Sequence, residues 1–284
     1  MSEGGLMGGE SNAGRLRVGR LIEWQHHGAA ENMATDEALL QSVAAGAPPT
    51  LRYYGWSRPT LSLGYFQSLS EAEAWAATNQ VTLGESGNVD LVRRSTGGGA
   101  ILHHQELTLS LTLPENTADT GAREATYRAV HTAIAEELHV MGVVAKPYRT
   151  LGRNQVSRSI DDTPAESKRR PSEPFLCFQR RTDEDLIVSG YKVLGSAQRR
   201  TKGALLQHGS LLWSVTPHAN VLPGLQELSG RTLSMSRLIS GLAERLSSVL
   251  QLEWKPGELD RSEKEAADQI ASQKYGNQAW TAKR

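Results

Sequence analysis

Cysteine occurs once in these 284 residues and phenylalanine three times, and aromatic side chains make up only 6% of the chain. A single thiol excludes an internal disulfide framework and fits a reducing compartment. It also excludes a thiolate zinc cluster, and His103, His104 and His208 lack metal-ligand spacing, so no metal is expected. Net charge is missing as well, because 31 Lys+Arg balance 31 Asp+Glu. Nothing global then draws the chain to nucleic acid or membrane, and any steering rests on local patches. No apolar run approaches a membrane span. The first twenty residues hold no secretory h-region. A cytoplasmic protein with neither nucleic-acid nor membrane partners is expected.

At 284 residues with 38% hydrophobic and 22% charged content, the chain can bury a real core. The Gly- and Ser-rich residues 1–18 read as a flexible tail, and 19–284 as one catalytic domain. Apolar spacing predicts a strand at Leu21–Trp24 and a helix through Met33, Leu39, Leu40 and Val43 capped by Asn32 or Thr35. Strands are predicted at 50–56, 60–67, 89–93 and 106–114, the last alternating cleanly. A short helix is expected at 70–79 with Ser70 as cap, and a long amphipathic one at 121–141. Further helices are expected at 228–252 and 263–275, the latter inside a C-terminal helical stretch, 258–284. The polar, proline-bearing stretch 152–174 reads as a mobile loop. Strands and helices interleave irregularly, with several strand pairs on short turns. That predicts an α+β fold: a mixed, mostly antiparallel sheet flanked by helices.

The chemistry concentrates between Cys177 and Trp213. The lone thiol is followed by Lys192, inside Gly190-Tyr-Lys-Val-Leu-Gly-Ser-Ala-Gln198, and then by Gln207-His-Gly-Ser210. A cation near a thiol favours the reactive thiolate. Taken singly, each residue has a plainer reading. Apolar neighbours suit Cys177 as an inert buried thiol. Lys192 follows a chain reversal at Ser189-Gly190 and reads as a solvated turn lysine. The second signal is Arg93-Arg94-Ser-Thr-Gly97-Gly98-Gly99, a turn whose N–H groups could cradle a carboxylate or phosphate while an arginine adds a charged fork. It is not a P-loop, since no Gly-Lys-Ser/Thr follows. Arg180, Arg181, Arg199, Arg200, Lys202 and Lys168–Arg170 read as solvated faces or as a basic rim for an acidic partner.

These stretches together, with Asn32-Met-Ala-Thr-Asp-Glu-Ala-Leu-Leu40, Pro59-Thr-Leu-Ser-Leu-Gly-Tyr-Phe-Gln67, Arg93–His103, Lys274-Tyr-Gly276 and Trp280, resemble the lipoate–protein ligase and octanoyltransferase superfamily, which shares its catalytic fold with biotin–protein ligases. The resemblance runs from about residue 20 to the C-terminus. It is nearest to the LipM-type octanoyltransferases, where a Cys-Phe pair precedes the lysine. It implies a biotin/lipoate ligase-like fold and no cofactor. Cys177 would be the acyl-thioester nucleophile, with Lys192 beside it. Arg94, Gly97, Gly98, Gly99, His103, Gly195, Ser196, Ala197, Gln198 and His208 would bind substrate. The implied reaction moves octanoyl from acyl carrier protein to a lysine of a lipoyl domain or glycine cleavage H protein. ATP-dependent lipoate ligation and octanoyl transfer between lipoyl domains are the alternatives. His104 departs from the pattern, standing where many relatives carry an acidic residue.

Overall fold

The computed structural model describes residues 16–115, 121–152 and 174–284. Most of the expected 152–174 loop, and residues 1–15 of the expected tail, lie outside them. The first strand, β1 (Arg17–His27), begins within the stretch expected as tail.

The helix α1 (Ala29–Ala44) follows, with Gly28 at its N-cap and no side-chain cap. Neither Asn32 nor Thr35 caps it. Asn32 is instead a fully buried tie inside the helix: its amide donates to the Gly55 carbonyl and its Oδ1 accepts from Arg52 at 2.6 Å. The strands β2 (Thr50–Trp56) and β3 (Thr60–Leu63) lead to α2 (Leu69–Thr78), where Ser68, not Ser70, forms a capping box with Glu71. Then come β4 (Asp90–Arg93), β5 (Ile101–His103) and β6 (Glu106–Pro114). The long helix α3 (Ala122–Val140) matches its apolar stripe.

The second half holds β7 (Lys146–Pro147), β8 (Leu186–Val188), β9 (Tyr191–Thr201) and β10 (Ala204–Leu212). Between β8 and β9, Ser189 and Gly190 both take positive φ (48° and 86°), the pairing a tight hairpin demands. The helices α4 (Leu225–Ser229) and α5 (Met235–Leu250) share the stretch expected as one helix, parted by Gly230 in the left-handed region. After β11 (Leu252–Pro256), the helix expected at 263–275 is present, and the longer 258–284 stretch is interrupted after it. The stretch runs as α6 (Arg261–Ile270), then a π-helical turn Ala271–Tyr275, then α7 (Gln278–Thr281).

Among the described residues the strands form two sheets. One has eight strands in the order β11-β1-β2-β6-β10-β9-β8-β7, and the other has three, β4-β3-β5. The large sheet is parallel only where β1 meets β11 and β2, and antiparallel elsewhere. The mixed, mostly antiparallel architecture is therefore as expected. Alternation along β2 and β6 gives the sheet two different faces. Leu51, Tyr53, Leu107, Leu109 and Leu111 pack against Val130, Ile134 and Leu138 of α3 and Leu238, Leu242 and Leu246 of α5. The opposite row, Arg52, Tyr54, Glu106, Thr108 and Ser110, is polar yet also buried. Buried polar groups must be paired, and this second face is where the pairing and the candidate site are found.

Candidate active site

Cys177 opens a single 3-10 turn, Cys177–Gln179, at the edge of the glycine-rich loop. Its backbone is stapled there: the Cys177 N–H donates to the Ala100 carbonyl at 2.7 Å, and the Ala100 N–H to the Phe175 carbonyl at 3.1 Å. A Cβ at Gly99 would stand 3.0 Å from the Cys177 nitrogen, so glycine there lets the two strands of chain close together. The thiol itself is half-buried, not sealed as an inert core thiol would be.

Lys192 overturns its plainer reading. It is 4% exposed and turned inward, not solvated at the hairpin. A bulge at Val193, where Ile187 pairs Lys192 but Leu186 pairs Leu194, resets the alternation of β9 after the turn. The ammonium meets three acceptors: Asp185 Oδ2 at 2.8 Å, the Cys177 carbonyl at 3.3 Å and Cys177 Sγ at 3.6 Å. That accounts for all three of its hydrogens. Asp185 is fixed in turn by the Thr182 N–H at 2.7 Å. Gly195 makes room for the lysine, since a Cβ there would lie 2.7 Å from Lys192 Cε and 2.9 Å from Nζ.

The thiol faces a narrow slot. Its cavity volume is about 40 Å³. Such a shape suits a thin chain. Cys177, Arg94, Gly97, Gly98, His103, Gly195, Ser196, Ala197 and His208 all line it. Two other expected substrate residues do not. Gly99 packs behind the loop on Cys177, and Gln198 points to the Arg123 carbonyl and Gln207. Met33, Tyr54, Trp56 and Ile101 supply apolar wall that was not singled out from the sequence.

The arginines are not a free fork for a ligand. Arg93, fully buried, holds the carbonyls of Thr281, Gly64 and Gln67. Arg94 donates to the carbonyls of Ser62, Gly97 and Gly99, so its charge shapes the glycine loop from behind. Burial lowers the pKa of Arg94 to about 10, leaving it charged at neutral pH.

Behind the slot, Glu106 receives His103 Nδ1 at 2.7 Å, Ser210 Oγ at 2.5 Å and Thr108 Oγ1 at 2.6 Å. Burial pushes the Glu106 carboxyl up, but His103 and the two hydroxyls outweigh it and hold it below its usual range. Burial also lowers His103, against the pull of Glu106. A neutral His103 with its proton on Nδ1 satisfies both directions. Its Nε2 then accepts from Ser62 Oγ at 2.6 Å, and Ser62 accepts from Arg94 at 2.7 Å. Trp56 stacks on the ring at 3.9 Å. Asp36 forms a second buried hub, bonded to Arg52, Tyr54, Ser110 and His208. Burial raises the Asp36 carboxyl, but His208 and Arg52 together bring it below its usual range. His208 reaches Thr96 of the loop through Nε2 at 2.9 Å. Among the described residues no three His, Cys, Asp or Glu side chains converge as metal ligands, and no helix is long and apolar enough to cross a membrane.

The lipoyl protein ligase A/B catalytic domain model matches residues 28–222, which contain every residue that lines the slot. The chain belongs to that family. It is 32% identical to the octanoyltransferase LipM of Kyrpidia tusciae, across 93% of this chain and 98% of that protein. It is 31% identical to octanoyltransferase LipM of Bacillus subtilis, again over 93% and 98%. Among solved structures it resembles a bipartite lipoate protein ligase from Thermoplasma acidophilum (TM-score 0.68, 20% identity, 94% of this chain and 96% of that one). It also resembles lipoate-protein ligase A bound with ATP (TM-score 0.67, 21% identity, 93% and 98%). At such identities the structural matches speak for the fold alone.

Within this family site, Asp185, like the buried Glu106, is a charged residue that the sequence reading passed over. It sits in Thr182-Asp-Glu-Asp185, where three acidic residues look like a solvated turn. Its signal was its place just before the apolar run of β8, which carries it inside while Asp183 stays exposed.

Proposed function

We propose that this chain is an acyltransferase of lipoate biosynthesis that moves octanoyl from acyl carrier protein to a lipoyl-domain lysine through a thioester on Cys177. The observation that carries this reading is Cys177 Sγ at the slot wall with the Lys192 ammonium 3.6 Å away. The near full-length likeness to proteins named octanoyltransferase LipM supports it.

The chemistry divides into two exchanges. The Cys177 thiolate attacks the carrier thioester; the new S–C bond forms, the old one breaks, and the carrier thiolate leaves. One thioester replaces another, so the step is close to thermoneutral. The neutral amine of the acceptor lysine then attacks the enzyme thioester. The C–N bond forms, the C–S bond breaks with its electron pair on Cys177 Sγ, and the amine's proton passes to solvent, balancing the proton that the departed carrier thiolate takes up. The amide product is more stable than a thioester, which drives the cycle. A covalent intermediate lets two protein substrates use one site in turn. Lys192, with its three hydrogens already placed, holds positive charge where the thiolate attacks and where it is released.

Intact mass after mixing the protein with octanoyl carrier protein tests this. Without ATP, a gain of one octanoyl group at Cys177 is expected, then its loss when a lipoyl domain is added. Full transfer by a Cys177→Ala variant, or strict dependence on ATP with free lipoate, sinks the reading and selects a ligase.

A further inference from the structure

Beside the slot lies a second cleft, walled by Tyr65, Phe66, Ser95, Arg199, Lys274 and Trp280. Gly97 lines both cavities, so they meet at the glycine loop. Phe66 stands 72% exposed at the rim, its ring edge-on to Tyr65 at 5.0 Å. Cations gather around these rings. Lys274 and Lys283 sit over Trp280 at 4.5 and 4.9 Å, and Arg284 lies over both Tyr65 and Phe66. The Lys274 charge is taken up by Glu37. Among the described residues Arg199 and Lys283 have no carboxylate partner; Arg199 donates to the Ser95 carbonyl and Lys283 to the Tyr65 hydroxyl. A chain with equal numbers of acidic and basic residues thus presents net positive charge at this mouth.

We propose that this cleft receives the phosphate-bearing arm on which an acidic carrier protein presents its acyl thioester. The proposal rests on the thioester reading above and adds where the donor enters. Charge decides between the two substrates. The acceptor brings a lysine, cationic at neutral pH, which a cation-lined mouth repels. The donor brings a phosphodiester and an acidic protein face, which the same mouth attracts, with Arg199 and Lys283 offering open N–H groups to the phosphate oxygens. The exposed Phe66 gives the apolar part of the arm a surface to lie on.

The test measures acyl-enzyme formation at Cys177 by intact mass with three donors: octanoyl carrier protein, octanoyl-pantetheine phosphate and octanoyl-pantetheine without phosphate. The parent enzyme is expected to prefer the two phosphorylated donors, and to lose that preference as salt is raised. A Lys283→Glu, Arg199→Gln double variant is expected to raise KM for both phosphorylated donors roughly tenfold and to level the preference between the two pantetheine compounds. A circular dichroism melt matching the parent separates this from misfolding. An adduct that forms with the parent's preference intact overturns the proposal. So does a defect confined to the second exchange, from preformed acyl-enzyme to lipoyl domain, since that would seat the acceptor here. No adduct from any donor in the parent overturns the thioester reading itself and this one with it.

Discussion

Asp185 Oδ2 lies 2.8 Å from Lys192 Nζ, with both side chains all but sealed from solvent. The carboxylate makes it possible for the ammonium to stay charged beside the thiol, because an unpaired buried ammonium is costly. It also draws off part of the charge that Cys177 would otherwise feel. Removing Asp185 leaves the lysine uncompensated. Asp185→Ala is expected to cost about 3–5 kcal/mol of stability, read from urea unfolding, and Asp185→Asn less. A loss below 1 kcal/mol for Asp185→Ala would mean that the pair is not the buried one described.

The thiol should register the lysine directly. Lys192→Met removes the cation while keeping most of the stem volume. Alkylation of Cys177 by iodoacetamide at pH 7 is expected to slow by roughly tenfold once the ammonium 3.6 Å from Sγ is gone. An unchanged rate removes Lys192 from the activation of Cys177.

Gly195 offers a cleaner perturbation. The methyl of Gly195→Ala would collide with the end of the Lys192 side chain, not with backbone. A side-chain end can shift, but Nζ is sealed against Asp185, so the shift strains that buried pair and the stability cost should run to about 1–3 kcal/mol. The shift also takes Nζ from Cys177. Octanoyl transfer is expected to fall by far more than stability does. Full activity with a normal melting temperature would show that the 3.6 Å approach is dispensable.

Acidification should find His131. This histidine of α3 donates Nδ1–H to the Glu184 carbonyl, and its Nε2 accepts from Ser196. Burial brings its pKa down to about 4 from 6.5; Asp185 and Glu184 pull it up, and Lys192 pulls it down further. The folded value is therefore the depressed one. Above pH 6.5 both folded and unfolded states hold it neutral, and it contributes no pH dependence. As pH falls from 6.5 toward 4, only the unfolded state takes up the proton, and stability is lost by up to about 3 kcal/mol. The difference in stability between the parent and His131→Gln is expected to shrink over that window. A difference that stays constant from pH 7 to 4.5 would contradict a buried neutral imidazole.

Chain length gives a last measurement. Each methylene buried in the slot is worth about 0.8 kcal/mol, so a hexanoyl donor should lose roughly tenfold in kcat/KM against octanoyl. Equal values would place the acyl tail outside the slot.

The linear chain carried a good deal of this. Period-2 alternation in Glu106–Pro114 and the stripe of α3 located a strand and a helix to within a residue, because both repeats reflect burial of one face. The Ser189-Gly190 reversal was legible because few residue pairs take positive φ twice. Helix ends were not legible where the capping oxygen had a stronger claim elsewhere. Asn32 lies within α1 because Arg52, twenty positions on, offers it a buried charged partner. The π-helical turn after α6 rests on i→i+5 pairing, such as the Gly276 N–H to the Ala271 carbonyl, which no composition announces.

The site followed the same division. That a lone cysteine, a glycine-rich turn and a Gly-Tyr-Lys-Val-Leu-Gly-Ser run belong together was written in the order of residues. Covalent sequence, though, says only which groups exist and how far apart they are along the backbone. Whether Lys192 faced water or sulfur was decided by one bulge in β9 and by the depth at which Asp185 came to rest. Whether the polar row of β6 met solvent was decided by α1 lying across it. Both are consequences of which surfaces pack on which, and alternation alone cannot tell a wet polar face from a buried one.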